Sequence, residues 1–261
     1  MPVPPWTASR RGRIDAVTGY AEARRLPRGW THLLVQIAVW FGFYGAYQVA
    51  RGAADWGVGE AFWHGTLVIE TEHRLRMFIE PTVQGWVERS ELLVAATTYT
   101  YWLSQFAVVG MALLWVYFRH HDRFADLRNW LIGANLVGLL GYVLMPTAPP
   151  RMFPEWGFSD TLAELGSVNQ QSDVVTFAAN PYAAMPSLHA MDALIVGLVM
   201  ASVCRSGTAR VLWLLWPAWV CFAVMGTGNH FWLDCAAGFA IALLTGLVLF
   251  RGRIRRFVPG L

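Results

Sequence analysis

Six apolar runs, each close to the length of a bilayer-spanning helix, divide this chain: roughly 29–50, 92–118, 129–146, 186–204, 210–227 and 231–250. Crossing a hydrocarbon core takes about 20 apolar residues of helix, because backbone polar groups inside it must be bonded within the segment. The expected fold is therefore all-α: a polytopic membrane protein with six transmembrane helices and extracytoplasmic interfacial helices. Composition agrees. Of 261 residues, 56% are hydrophobic and only 14% charged, where soluble domains carry about a quarter charged. That excludes a disordered chain and disfavours a soluble globular enzyme. The 28 residues before the first run are mostly polar and show no small-residue cleavage site, so the run reads as an anchor rather than a removable signal. The expected divisions are a cytoplasmic N-terminal segment (1–28), a six-helix membrane domain (29–250) and a basic cytoplasmic tail (251–261).

Six spans place both termini on one side, and arginine decides which. All 20 basic residues are Arg. Fifteen fall in the N-terminal segment, the 119–128 loop, the 205–210 turn and the tail, against five on the opposite face (Arg51, Arg74, Arg76, Arg89, Arg151). The positive-inside rule makes the fifteen-Arg face cytoplasmic and predicts a multi-pass cell-membrane protein. The long segments 51–91 and 147–185 then lie outside. The first mixes Trp63, Leu67, Val68, Leu75, Phe78, Ile79 and Trp86 with charges, which predicts one or two interfacial helices broken at Pro81. Such helices rest on the outer leaflet or cover a lipid entrance.

This topology gathers the unusual polar residues at one end. Span three ends outward at Pro146-Thr147-Ala148-Pro149-Pro150-Arg151. Span four begins outward at Asn180-Pro181-Tyr182 and continues to Pro186-Ser187-Leu188-His189. Span six begins outward at Gly228-Asn229-His230, followed by Asp234. Pro186 suits a helix first turn, Asn229 suits a helix N-cap, and two helix N-termini with Arg151 make a site for a phosphate. His230 and Asp234 are four apart and share a helix face, so the carboxylate can hold one imidazole nitrogen and leave the other as nucleophile. His189 enters from another helix as proton donor to a leaving alcohol.

Isolated histidines near helix ends are more often structural, and His32, His64 and His73 are read so. His189, His230 and Asp234 are different, since an Asp within a span costs about 2.5–3.5 kcal/mol on insertion scales. Asp192, one turn beyond His189, serves either as a partner of His189 or as an inter-helix hydrogen bond. Two His with Asp also suit zinc, but no paired-ligand helix motif is present and Arg151 repels a cation, so no metal and no cofactor is expected. The three cysteines (Cys204, Cys221, Cys235) show no CxxC spacing. A transporter would show inverted repeats or midplane helix breaks, and a non-catalytic lipid-binding protein has no need of paired histidines.

The Pro186-Ser187-Leu188-His189 run and the His230-x-x-x-Asp234 pair resemble the second and third signatures of the type 2 phosphatidic acid phosphatase superfamily. The Pro146–Arg151 and Gly228–His230 contexts are more similar to its inositol phosphorylceramide synthase branch and bacterial relatives. The segment Glu70–Gln84 is loosely similar as well. By that resemblance His230 attacks phosphorus, Asp234 orients it and His189 is the general acid. It further implies that Ser187 holds phosphate oxygens; Arg151 and Asn229 are read from the helix ends themselves as phosphate-binding, with Asp192, Asn180 and Tyr182 as supporting candidates. The chain departs from the wider family at Leu188, where that family has glycine, at Ala223 and Val224, where it has Ser-Arg, and in lacking a first-signature Lys. These departures favour the synthase-like branch. The implied activity is metal-independent cleavage of a lipid phosphoester drawn from the bilayer, with transfer to an inositol-type alcohol. Hydrolysis by water is the alternative. No nucleic-acid partner is implied.

Overall fold

The computed structural model describes residues 27–53, 57–161 and 181–257. These divide into two compact units, Met1–Phe43 and Tyr44–Leu261. The described part of the first unit is residues 27–43, where α1 (Gly29–Ala53) begins. The second holds the end of α1 and all other elements: α2 (Val58–Arg74), α3 (Glu80–Glu88), α4 (Glu91–Leu103), α5 (Val109–Arg119), α6 (His121–Leu144), α7 (Leu188–Val203), α8 (Gly207–Gly226) and α9 (Trp232–Phe257). A π-helical turn, Ser104–Val108, joins α4 to α5. Among the described residues no strand forms beyond one isolated bridge between Thr147 and Ala183.

Among the described residues, four helical segments are long and apolar enough to cross a membrane: Glu91–Arg119, His121–Leu144, Gly207–Gly226 and Trp232–Arg251. Their outer faces expose Leu92, Met111, Phe118, Leu144, Leu212, Leu244 and Val248, side chains for which lipid is the favourable solvent. The expected first span is helical as α1 but does not fall in that set. The expected fourth span is the shorter α7, of 16 residues. It lies at the centre, packed by α5, α6, α8 and α9. Its buried residues fall on every side (Leu188, Met191 and Ile195 on one face, Ala190, Gly197 and Ala201 on the opposite one), the pattern of a helix enclosed by others.

Segment 51–91 differs from expectation in where it breaks. The chain turns at Leu75–Ile79, with Arg76 at φ 57, and Pro81 sits in the first turn of α3. The proline starts the second helix, where its missing N–H costs nothing, instead of ending the first. Both helices bury a stripe: Ala61, His64, Gly65, Val68, Ile69 and Glu72 on α2, and Glu80, Val83, Gln84 and Val87 on α3. The α2 stripe packs with Ala148, Phe153, Phe158 and Phe231. Val87 of α3 lies against Gly226 at the end of α8.

Candidate functional site

Backbone hydrogen bonds tie the ends of α6, α7, α8 and α9 together. The Thr147 amide donates to Tyr182 O at 2.7 Å and the Arg151 amide to Gly228 O at 2.9 Å, while Ser187 donates to Asp234 O at 2.9 Å. His64, read as structural, is buried and donates from Nδ1 to Pro146 O at 2.7 Å. Gly228 closes the turn after α8 at φ +67, where a Cβ would meet Ser159 O and the Gln84 amide. Only glycine fits both that conformation and that space. Gln84 in turn clamps the 157–161 segment through Ser159 O (2.8 Å) and Thr161 Oγ1 (3.0 Å).

Within this knot His230 is 4% exposed and Asp234 fully buried. His230 Nδ1 lies 2.8 Å from the Ala184 carbonyl and 3.4 Å from Asp234 Oδ2. Both partners only accept, provided Asp234 is ionised, so they assign the proton to Nδ1 and the lone pair to Nε2. His189 lies opposite, its ring centroid 5.6 Å from that of His230. Tyr101 of α4, a contact the sequence did not indicate, stacks on His189 at 4.6 Å and fixes the plane of its ring.

The expected phosphate-binding residues have distinct places. Ser187 is the N-cap of α7, its Oγ accepting from the Ala190 amide. Pro186 therefore precedes the cap and does not occupy the first turn. Asn229 is not an N-cap, because α9 starts at Trp232. Its amide donates to Thr227 O and Oγ1, and its Oδ1 accepts from Arg151 Nη1. Asn229 thus orients a guanidinium, which also lies 3.9 Å from Asp160.

The α9 N-terminus is occupied by the protein's own acids. Asp234 Oδ2 accepts from the Phe231 amide (2.8 Å), Glu80 Oε1 from Trp232 (2.7 Å) and Glu72 Oε1 from Leu233 (3.3 Å). A phosphate cannot also take these donors, so of the two helix ends expected to bind it, that of α7 remains. Glu72 and Glu80 were not singled out from sequence. The available signal was register: each falls on the buried stripe of its helix. Burial, reinforced by the neighbouring Glu80, pushes Glu72 up to about 9, and burial raises Glu80 as well.

Of the supporting residues, Asp192 bonds across helices, accepting from Asn135 of α6 at 2.8 Å. Tyr182 packs on the α2 cluster, facing Phe62. Asn180 lies outside the described residues.

A family model described as PAP2 superfamily matches residues 66–248, well over half of the chain. Phosphoinositol dihydroceramide synthase of Bacteroides thetaiotaomicron is 31% identical over 183 residues, covering 62% of this chain and 57% of that protein. The chain thus matches little more than half the length of this relative. No solved structure matches the chain.

Proposed function

The chain belongs to the PAP2 superfamily, and from that membership we propose that it cleaves a lipid phosphoester through a phosphohistidine on His230, without metal, and passes the phosphoryl or phospho-headgroup to an alcohol. In kind it is a lipid phosphatase or phosphotransferase of the phosphatidic acid phosphatase type. The observation that carries the finer reading is the pinned imidazole: Nδ1 committed to Ala184 O and Asp234, with a second histidine ring 5.6 Å away.

In the first step His230 Nε2 attacks phosphorus and the P–O bond to the leaving alcohol breaks. Protonated His189 gives that oxygen its proton. Asp234 stabilises the imidazolium character that develops on His230. Arg151, steered by Asn229, and the first turn of α7 neutralise phosphate oxygens. In the second step neutral His189 takes the proton of an incoming hydroxyl as its oxygen attacks phosphorus, and the P–N bond breaks. Incoming water gives hydrolysis and incoming alcohol gives transfer. The relative's name describes a phosphoinositol joined to dihydroceramide. By that likeness the reaction here is transfer, with an inositol-type headgroup and a ceramide-type lipid joined through phosphorus.

The proposal places the chemistry at the extracytoplasmic face of the cell membrane. Six spans comprise the four long helices with α1 and α7, and both termini are cytoplasmic. Residues 29–250 form the catalytic unit, between the 1–28 segment and the 251–261 tail.

The test uses purified protein in detergent with EDTA and a panel of lipid phosphates, with and without inositol. Released phosphate and new lipid are followed for the wild type and His230→Ala. Turnover that persists in EDTA and vanishes in the variant supports the mechanism, and the product separates transfer from hydrolysis. Turnover surviving His230→Ala overturns it.

A further inference from the structure

Two glutamates from different helices meet at the start of α9, and neither is exposed to solvent at all. Glu72 ends the buried stripe of α2, and Glu80 opens that of α3. Each spends its Oε1 on a backbone amide of α9, at Leu233 and Trp232. Each is left with a buried Oε2 that no donor of the surrounding protein reaches. The Trp232 and Leu233 amides are neighbours along the chain, so they bring the two carboxyl groups side by side. Two ionised carboxylates can only accept, so a bond between them requires a proton on one.

We propose that Glu72 and Glu80 share a single proton as a carboxylic acid–carboxylate pair, and that this pair is a positioning device seating the first turn of α9, and with it His230 and Asp234, in reactive register. The function of the device rests on the phosphohistidine reading; the shared proton does not.

The charges facing the pair explain why one proton is retained. From α9 comes Asp234, whose carboxylate opposes a second charge on either glutamate. The helix start contributes partial positive charge, enough to favour anions near its first turn but screened by three acids clustered there. Val68 and Ile69 of α2, with Phe153, Phe158 and Phe231, make an apolar cluster beside the pair. Like carboxylates in such a setting hold one proton to high pH, in keeping with Glu72 at about 9. With the proton in place both Oε1 atoms remain acceptors for α9. When it leaves, two like charges must separate, and the Trp232 and Leu233 amides shift with them. His230 lies two residues before Trp232, and Asp234 directly follows Leu233, so the catalytic pair moves too.

Glutamine at 72 separates the shared proton from mere packing. Its Oε1 still accepts from Leu233 and its amide N–H donates to Glu80, so the contact persists without a titratable proton. Infrared spectra of full-length protein in detergent, recorded against pH, read the C=O stretch of a protonated carboxylic acid directly. The wild type should hold at neutral pH a component of that band which it loses on the alkaline side, and Glu72→Gln should lack that component. In turnover, Glu72→Gln should keep near-wild-type kcat at neutral pH and move the alkaline limb of the kcat profile upward by about one pH unit or more. Glu72→Ala with Glu80→Ala should depress kcat more than it changes KM. Identical infrared bands in wild type and Glu72→Gln, or identical alkaline limbs, overturn the proposal. If no lipid phosphate is turned over by the wild type, the phosphohistidine reading fails, while the infrared comparison still decides the shared proton.

Discussion

Partners at one imidazole nitrogen fix the other as the nucleophile, and at His230 a carbonyl and a carboxylate both face Nδ1. The role given to His189 is more exposed to test, because general-acid help matters in proportion to how poor the leaving group is. His189→Ala should slow cleavage of an alkyl phosphoester by roughly 10²–10⁴-fold. On an aryl ester whose phenolate leaves without a proton, the loss should be much smaller, whereas His230→Ala should be inactive on both. Equal losses on the two esters would remove His189 from proton transfer. That these two residues and Asp234 stand out was legible in sequence, because an Asp within a span is expensive and because the i, i+4 spacing puts two of them on one face. Asn229 was legible as polar but not in its role. A cap is recognised by the helix that follows it, and here the left-handed Gly228 and the turn after it delay that helix to Trp232. Glu72 and Glu80 were hidden because acids in a mixed segment look like a solvated face. Only the three-dimensional meeting of two stripes shows that they are inside.

Element packing sets the separation of the two histidines, since His189 rides on the first turn of α7 and His230 on the loop into α9. These helices touch where Gly238 of α9 faces the start of α7: a Cβ there would fall on the Ser187 carbonyl oxygen, with the Met191 amide at 3.3 Å. Backbone cannot yield as a flexible side chain does, so Gly238→Ala must push the helices apart. Such overpacking costs about 1–3 kcal/mol. The expected result is a lower Tm in detergent and a fall in kcat larger than stability alone explains, because Ser187, the α7 cap, donates to Asp234 O and would carry that displacement to the catalytic pair. Alanine at Gly59, where no atom lies within 4 Å of the added Cβ, serves as the control and should change neither. The small residues of the last helix were readable from sequence as close packing. Their partner was not, because nothing in the sequence identifies the Ser187 carbonyl as the atom a larger side chain would strike. The number of spanning helices was similarly half legible. Among the described residues four meet the length and apolarity of a crossing segment, whereas α7 is 16 residues long and is enclosed by its neighbours, and enclosure is a property of the bundle.

At the scale of the whole molecule, one end gathers the site and the other gathers arginine. Arg119, Arg123, Arg205 and Arg210 lie at or beyond helix ends, and Arg251 in the last two turns of α9, all remote in sequence from the knot that holds His230. If that charge marks the cytoplasmic side, the substrate is a lipid of the outer leaflet and its acceptor must reach the extracytoplasmic face. The opposite orientation would make the enzyme a consumer of inner-leaflet lipid, supplied with alcohol from the cytoplasm. Two positions discriminate. Asp122 begins α6 at the arginine end, and Glu155 is exposed in the short 3₁₀ turn Pro154–Trp156 beside the site. In a chain whose three native cysteines are replaced by alanine, Glu155→Cys should react with a membrane-impermeant maleimide on intact cells. Asp122→Cys should react only after the membrane is opened. The reverse pattern would turn the protein over in the bilayer and overturn the outer-leaflet assignment, while leaving the chemistry of His230 and His189 unchanged, since that chemistry depends on which helix ends meet and not on the compartment they face.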